Sequence, residues 1–220
     1  MSSAAISDLD HVHVIDHHPV IQHHLAKLRH KDTTPSEFRA LIAKLASLLI
    51  YQASEDLEVT DVDIPTPLTN ATCKHLAQRV GLVPILRAGL GMIDPVLNLI
   101  DNAEVWHLGF YRDEQTLEPV EYYQKLRPDD PTDVAYILDP MLATGGSAIA
   151  ALNTLTDWGV PRIKVLAIIS APEGIRAIRE AYPDVPVHVC VVDSHLNEHG
   201  FIVPGLGDAG DRTFNTIPSD

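Results

Sequence analysis

The chain has 220 residues, 45% hydrophobic and 21% charged, enough to bury a substantial core in one embellished domain. A formal net charge of −14 argues against a broad nucleic-acid or anionic-membrane surface, so any anionic ligand must be held by local cations or backbone N–H groups. No apolar run approaches the ~20 residues of a spanning helix, and the opening MSSAAISDLD lacks the basic and apolar regions of a secretory leader.

Residues 1–10 read as a loose arm, and His11 to Ile15 alternates as a short strand. Seven of the twelve histidines lie between His11 and His30, but no Cys or Glu completes a ligand set at metal spacing. They read as polar positions on a strand and a helix. Thr34-Pro35-Ser36-Glu37 can open a helix, in which Phe38, Leu41, Ile42, Leu45, Leu48 and Leu49 form one apolar stripe. Leu57 to Ile64 alternates as an edge strand, interrupted by Pro65-Thr66-Pro67. Cys73 and Cys190 lack metal-type spacing and read as free thiols in a reducing cytosol.

Val80 to Leu86 is a buried strand that runs into Arg87-Ala88-Gly89-Leu90-Gly91 and then a helix over 92–100. Arg87 carries a fork of donors suited to phosphate oxygens. Glu104 to Phe110 is a third strand. Arg112 to Leu126 reads as an exposed hairpin, with a polar turn over Asp113 to Thr116 and a return strand from Val120 to Lys125. Asp129 to Asp133 is a solvated turn.

Tyr136 to Ser147, YILDPMLATGGS, repeats the design of the Arg87 bend. An apolar strand, Val134 to Leu138, stops at Asp139, and a small-residue loop leads into a helix. The loop's N–H groups and the helix dipole favour an anion, most naturally a phosphate. Asp139 can accept hydrogen bonds from sugar hydroxyls. By itself the pattern also fits an ordinary Ser/Thr-capped turn. Gly159 and Pro161 stop the helix. A strand from Ile163 to Ser170, a helix from Ala171-Pro172-Glu173-Gly174 to Tyr182, and a strand from Val185 to Val192 follow. Apolar strands alternating with helices imply a parallel sheet covered on both faces, with Arg87, Asp139 and the 143–147 loop on its carboxyl edge.

The tail holds a literal G-x-G-x-x-G at Gly205, Gly207 and Gly210. The dinucleotide reading is rejected, because only ten residues follow Gly210, too few for a helix and a second strand. The loop can instead press its backbone against a flat ligand, and Phe201, Ile202, Val203, Leu206 and Phe214 suggest that it packs.

Taken together, LRAGLGM, YRDEQTLEPVEYYQKL, DPMLATGGS, APEGI and PGLGDAGDR resemble the uracil phosphoribosyltransferase family, in that family's order and across nearly the whole chain. The resemblance implies an α/β fold of the type I phosphoribosyltransferase kind: a parallel sheet flanked by helices, with a flap hairpin (107–126) and a C-terminal base-binding hood (193–220) in a single 1–220 domain whose residues 1–70 form an N-terminal arm and helices. It implies transfer of the phosphoribosyl group of 5-phosphoribosyl 1-diphosphate (PRPP) to N1 of uracil, giving UMP and diphosphate with Mg²⁺. It also implies a cytoplasmic homodimer or larger homo-oligomer, with GTP as an activator of some members.

Residue by residue, the resemblance assigns Arg87 and Arg112 to the diphosphate. Asp139, Pro140, Met141, Leu142, Ala143, Thr144, Gly145, Gly146 and Ser147 fall to the ribose and 5′-phosphate. Asp208 falls to PRPP, through Mg²⁺. Ile202, Gly207, Asp208 and Ala209 fall to uracil. Arg87, Arg112 and Asp208 form the catalytic set. Pro140 follows Asp139, so the acidic pair that many phosphoribosyltransferases carry at this strand end is missing, and Mg²⁺ is expected mainly through PRPP. His195 and Asn215 stand where many members have Gly, both near the hood. A PRPP- or UMP-sensing protein without turnover and a transferase for another base remain open at this point.

Overall fold

The computed structural model describes residues 10–112, 119–124, 126–127 and 129–216, with the backbone alone at 110–112, 119–122 and 124. The loose arm expected over 1–10 therefore falls almost wholly outside the described residues, as do the turn at Asp113 to Thr116 and the end of the return strand at Lys125. In chain order the elements are β1 (Val12–Val14), α1 (Pro19–Arg29), α2 (Pro35–Ala53), β2 (Val59–Pro65), β3 (Asn70–Leu76) and β4 (Val80–Pro84). A 3-10 turn (Ala88–Met92), α3 (Ile93–Leu97), β5 (Glu104–Val105), β6 (Leu108–Arg112), β7 (Pro119–Gln124), β8 (Val134–Leu142) and α4 (Gly146–Trp158) follow. The chain closes with β9 (Arg162–Ser170), α5 (Pro172–Ala181), β10 (Val187–Val192), β11 (His195–Leu196), β12 (Ile202–Val203) and α6 (Ala209–Phe214).

Six strands form the sheet expected from the apolar runs, in the order β1-β10-β9-β8-β4-β5 and parallel throughout. One face packs on α2, where Phe38, Ile42, Leu45 and Leu49 meet Leu82, Tyr136, Leu138, Leu166 and Ile168. The other face packs on α4 and α5, where Ala151, Leu152, Leu155, Ile175 and Ile178 meet Ala135, Ile137, Val165 and Val189. Both faces are apolar because both are covered, which is why these strands read as continuous rather than alternating runs. Thr34 and Glu37 close a capping box at the start of α2, and Gly159 ends α4 at φ 94°, where a Cβ would be strained.

Several local expectations need correction. The strand expected to stop at Asp139 continues to Leu142, because Met141 and Leu142 still pair with Ile169 and Ser170 of β9. Leu57 to Ile64 is not an edge of the main sheet. Among the described residues β2 pairs only with β3, in a separate ribbon turned by Thr66, whose hydroxyl donates to the Thr69 carbonyl at 2.6 Å. The expected strand 104–110 is two strands in two sheets, β5 beside β4 and β6 beside β7. The expected helix 92–100 is a 3-10 turn followed by the five-residue α3. The segment Asp129 to Asp133 is not simply solvated: Thr132 is fully buried, while Asp130 and Asp133 both engage Arg79.

At the amino end of the sheet, His188 of β10 is buried with neither ring nitrogen hydrogen-bonded among the described residues, stacked on His13 of β1 at 4.4 Å. Burial, with His13 and Lys164 nearby, pushes its pKa down to about 3. Folding therefore favours the neutral ring. That contribution is complete above the ordinary value of 6.5 and is lost as pH falls below it. From pH 7 to pH 5 the chain should lose about 2 kcal/mol through this residue, seen as a falling denaturant midpoint. His188→Leu should flatten that slope. An unchanged slope would mean that other groups carry it.

Candidate functional site

Two bends meet at the carboxyl edge of the sheet. β4 is followed by Ile85, whose amide donates to the Leu138 carbonyl of β8 at 2.9 Å, so the Arg87 bend starts against the β8 backbone. The Leu86–Arg87 peptide is cis, and Arg87 is exposed. Near the end of β8, which runs to Leu142, the Asp139 carboxylate accepts the Met141 amide at 3.1 Å. Gly145, at φ 85°, then turns the chain into α4, and the α5 backbone stands so close that a Cβ on Gly174 would lie 2.5 Å from the Ala143 carbonyl oxygen. The APEGI stretch thus seats one helix against the loop that opens another, a role that its sequence alone did not reveal.

A cavity of about 210 Å³ opens here, lined by Asp139, residues 141–148 and Gly200. The first turn of α4 faces it with the amide groups that have no intrahelical acceptor. Asp139 keeps some surface open to this cavity, yet it is surrounded closely enough that burial pushes its carboxyl up to about 7, opposed by the Met141 amide. Within the run 139–147, Pro140 and Leu142 turn buried side chains away from solvent, so those two positions can offer a ligand only backbone. Thr144 is exposed, and Gly146 and Ser147 are half-buried at the mouth.

The tail contributes Gly200 to the lining and is anchored beyond it. Asp193, at the end of β10, is buried and forms a two-pronged ion pair with Arg29 of α1, at 2.7 and 2.5 Å. The same carboxylate accepts the Gly205 amide at 2.9 Å, and Arg29 donates to the Gly205 carbonyl at 2.7 Å. Gly205 sits at φ 62°, and a Cβ there would lie 2.0 Å from the Ile202 carbonyl oxygen. No other residue fits that bend. Glu173 of α5 takes the Leu196 amide at 3.3 Å, while its other oxygen is buried without a partner among the described residues.

The expected uracil set divides by environment. Ile202 and Ala209 bury their side chains in the core, whereas Gly207 and Asp208 are exposed. Recognition from 202 and 209 therefore falls to backbone groups. Asp208 caps α6 by accepting the Asp211 amide at 2.8 Å, leaving its second oxygen unpartnered among the described residues. Of the expected tail packing, Ile202 and Leu206 are buried, but Phe201 and Phe214 stay exposed. His195 is exposed, with Nδ1 2.8 Å from the Ser194 hydroxyl. Asn215 closes α6 at φ 58°, a left-handed position that Asn tolerates better than most residues.

Arg87 reaches the tail as well: it donates to Asp211 at 3.0 Å and to Thr216 at 3.2 Å. The bends around Arg87, Thr144 and Gly207 thus converge on one edge. Arg112 ends β6 opposite Pro119, and its side chain lies outside the described residues. Sequence reading missed Arg29, Asp193, Glu173, Asp211 and Thr216. Asp193 could have been found by the strand-end argument that found Asp139, but Arg29 gave no signal, since its partner is 164 residues away.

A family model described as uracil phosphoribosyltransferase matches residues 14–216. A protein of that name from Roseiflexus castenholzii is 55% identical over 202 residues, covering 92% of this chain and 97% of the relative. One from Symbiobacterium thermophilum is 51% identical over 209 residues, covering 94% and 100%. Among solved structures, the AQ2163 protein from Aquifex aeolicus superposes with a TM-score of 0.85 at 36% identity, covering 91% of this chain and 97% of that one.

Breaking the tail anchor should be costly. Arg29→Met leaves the buried Asp193 uncompensated, and loss of one partner from such a pair costs about 3–5 kcal/mol. Thermal unfolding should report it, and the double variant Arg29→Met, Asp193→Leu should recover much of the loss. A single variant as stable as the parent would rule out this anchor.

Proposed function

The chain belongs to the uracil phosphoribosyltransferase family, and we propose that the cavity between the 139–147 loop and the tail is where it carries the phosphoribosyl group from PRPP to N1 of uracil. The chain is a pentosyltransferase that makes UMP and diphosphate. The observation that carries this reading of the site is the meeting of the Asp139 carboxyl, the first turn of α4 and Gly200 of the tail around one small cavity.

The division of labour follows from charge. The α4 amides and the hydroxyls of Thr144 and Ser147 hold the 5′-phosphate, and Asp139 accepts from a ribose hydroxyl. As the bond from C1 to diphosphate lengthens, the ribose becomes positive and the leaving group more negative. Arg87 and Arg112 stabilise the leaving oxygens, since guanidinium donors aimed at the diphosphate act where charge develops. Backbone groups of Ile202, Gly207 and Ala209 hold the planar base, leaving a wrong base unpaired at its carbonyl and N–H edge. Holding N1 against C1 supplies the orientation contribution.

Mg²⁺ fits the donor set in a limited way. Asp208 offers a hard, exposed carboxylate oxygen, whereas Asp139, with its raised pKa and its bond to Met141, is a poor partner. Bound mainly through PRPP, the ion would neutralise the diphosphate's negative charge.

The reading extends to assembly, location and control. Among the described residues the β2–β3 ribbon pairs with no other strand, and it exposes Val59, Leu68 and Leu76, which supports a homodimer or larger assembly. GTP enters as an activator through the family resemblance, with no residue assigned. A cytoplasmic place of work enters through the family resemblance; among the described residues no helix is long and apolar enough to cross a membrane.

Purified protein with Mg²⁺, PRPP and labelled uracil should form UMP, with orotate and hypoxanthine turned over far less. No product from uracil would refute the assignment. Asp208→Asn should lower kcat/KM by about two orders of magnitude, on the scale of losing one charged group at a reacting diphosphate, with Tm little changed. Because the Asp139 carboxyl gains a proton as pH falls through about 7, KM for PRPP should rise below that pH. Asp139→Asn should remove that part of the dependence, and an identical profile in the variant would exclude Asp139 from the ribose contact.

A further inference from the structure

Arg87, Asp211 and Thr216 form a closed ring of hydrogen bonds on the exposed side of the site. Arg87 donates from one terminal nitrogen to Asp211 Oδ1 at 3.0 Å and from the other to Thr216 Oγ1 at 3.2 Å. The Thr216 hydroxyl donates in turn to the same Asp211 oxygen at 2.7 Å, and the Thr216 amide donates to the Asp211 carbonyl at 3.1 Å. Stability alone is a weak reason for such a ring, since an exposed ion pair contributes about 0–1 kcal/mol. Its geometry is more telling. A guanidinium has five N–H donors in a rigid fork. The ring engages one on each terminal nitrogen, so Nε–H and the outer N–H groups can still reach substrate oxygens.

The ring also ties two parts of the site together. Asp211 is the third residue of α6, the short helix that Asp208 caps through the Asp211 amide at 2.8 Å. That helix is fixed elsewhere: Arg39 of α2 donates to the Thr213 carbonyl at 2.9 Å, and Arg212 donates to the carbonyls of Leu206 and His30, each at 2.7 Å. Gly207, Asp208 and Ala209 therefore ride on the same small unit as the carboxylate that aims Arg87. A Cβ on Gly210 would lie 3.2 Å from the Asp208 carboxylate, a tight approach, and only in ordinary contact with the Arg87 terminal nitrogen at 3.6 Å.

We propose that Asp211, buttressed by Thr216, is a positioning residue that sets Arg87 for the diphosphate and couples diphosphate binding to binding of the base. This rests on the uracil phosphoribosyltransferase reading of the site. Settling the 207–209 loop on a base steadies α6, which steadies Asp211 and with it Arg87. By linkage, diphosphate held by Arg87 tightens the base pocket by the same factor.

The test uses product binding. UMP is titrated into the wild-type protein by calorimetry, with and without saturating magnesium diphosphate, and diphosphate with and without UMP. Wild type should show one coupling factor in both directions, of about 5- to 150-fold. In Asp211→Ala and Asp211→Asn that factor should fall towards one, and kcat/KM for PRPP should fall about tenfold, with part of the loss in kcat because Arg87 acts where charge develops. Thr216→Val, at an exposed position near the chain end, should give a partial loss with Tm unchanged. A purely structural Asp211 would lower Tm and leave the coupling factor intact in the folded fraction, and that result would overturn the proposal. Wild-type turnover of uracil with undiminished coupling in the Asp211 variants defeats this inference alone, whereas absence of turnover in wild type defeats the functional reading and this inference with it.

Discussion

Arg29 and Asp193 meet across 164 residues, and the rest of the site depends on that meeting. Arg29 ends the first helix, and Asp193 follows the last long strand of the main sheet. Both grip the amide and carbonyl of Gly205. A buried carboxylate stays charged at acceptable cost only when its oxygens are fully engaged, and here a forked cation and a backbone amide engage them. The tail therefore has one place to go. Without it the carboxyl edge of the sheet would present a phosphate-type loop with nothing opposite.

Given that anchor, the parallel sheet does what such sheets do. Every strand delivers its chain to the same edge, so loops far apart in sequence become neighbours there. The β4 bend brings Arg87, the β8 bend brings Asp139 and the start of α4, and the end of β10 brings the tail. Each bend uses small residues because backbone has to lie against backbone: Gly174 against Ala143, Gly205 against Ile202. The packed apolar faces below fix the backbone from which these bends start, and charge stabilisation of a departing diphosphate requires such pre-set positions.

Polar groups away from this edge have a different character. The stacked His13 and His188 at the opposite end of the sheet and the Lys164 ammonium held by Asp56 and the Ala53 carbonyl serve packing. His188 has no hydrogen-bond partner among the described residues and a depressed pKa, and it lies at the edge remote from the cavity. A perturbed titration by itself does not mark an active site; Asp139 is informative because its perturbation coincides with a cavity and a helix N-terminus.

Much of this was legible in the residues. Continuous apolar runs bounded by Gly and Pro disclosed β4, β8, β9 and β10 and their parallel pairing, because burial on both faces leaves that pattern. Thr34 and Glu37, or Gly159 with Pro161, disclosed helix ends, because caps are local chemistry. The three glycine-bearing bends and the family's motifs pointed to Arg87, the 139–147 loop and the 202–209 tail. Tertiary structure decided what depends on distant partners. It carried β8 past Asp139, because β9 was there to pair with it, and separated the β2–β3 ribbon from the sheet. It buried the side chains of Pro140, Leu142, Ile202 and Ala209, so that only their backbone is on offer. It also joined Arg29 to Asp193 and Arg87 to Asp211. No local pattern encodes such pairs, since their energy exists only once the chain has brought both charges to the same edge.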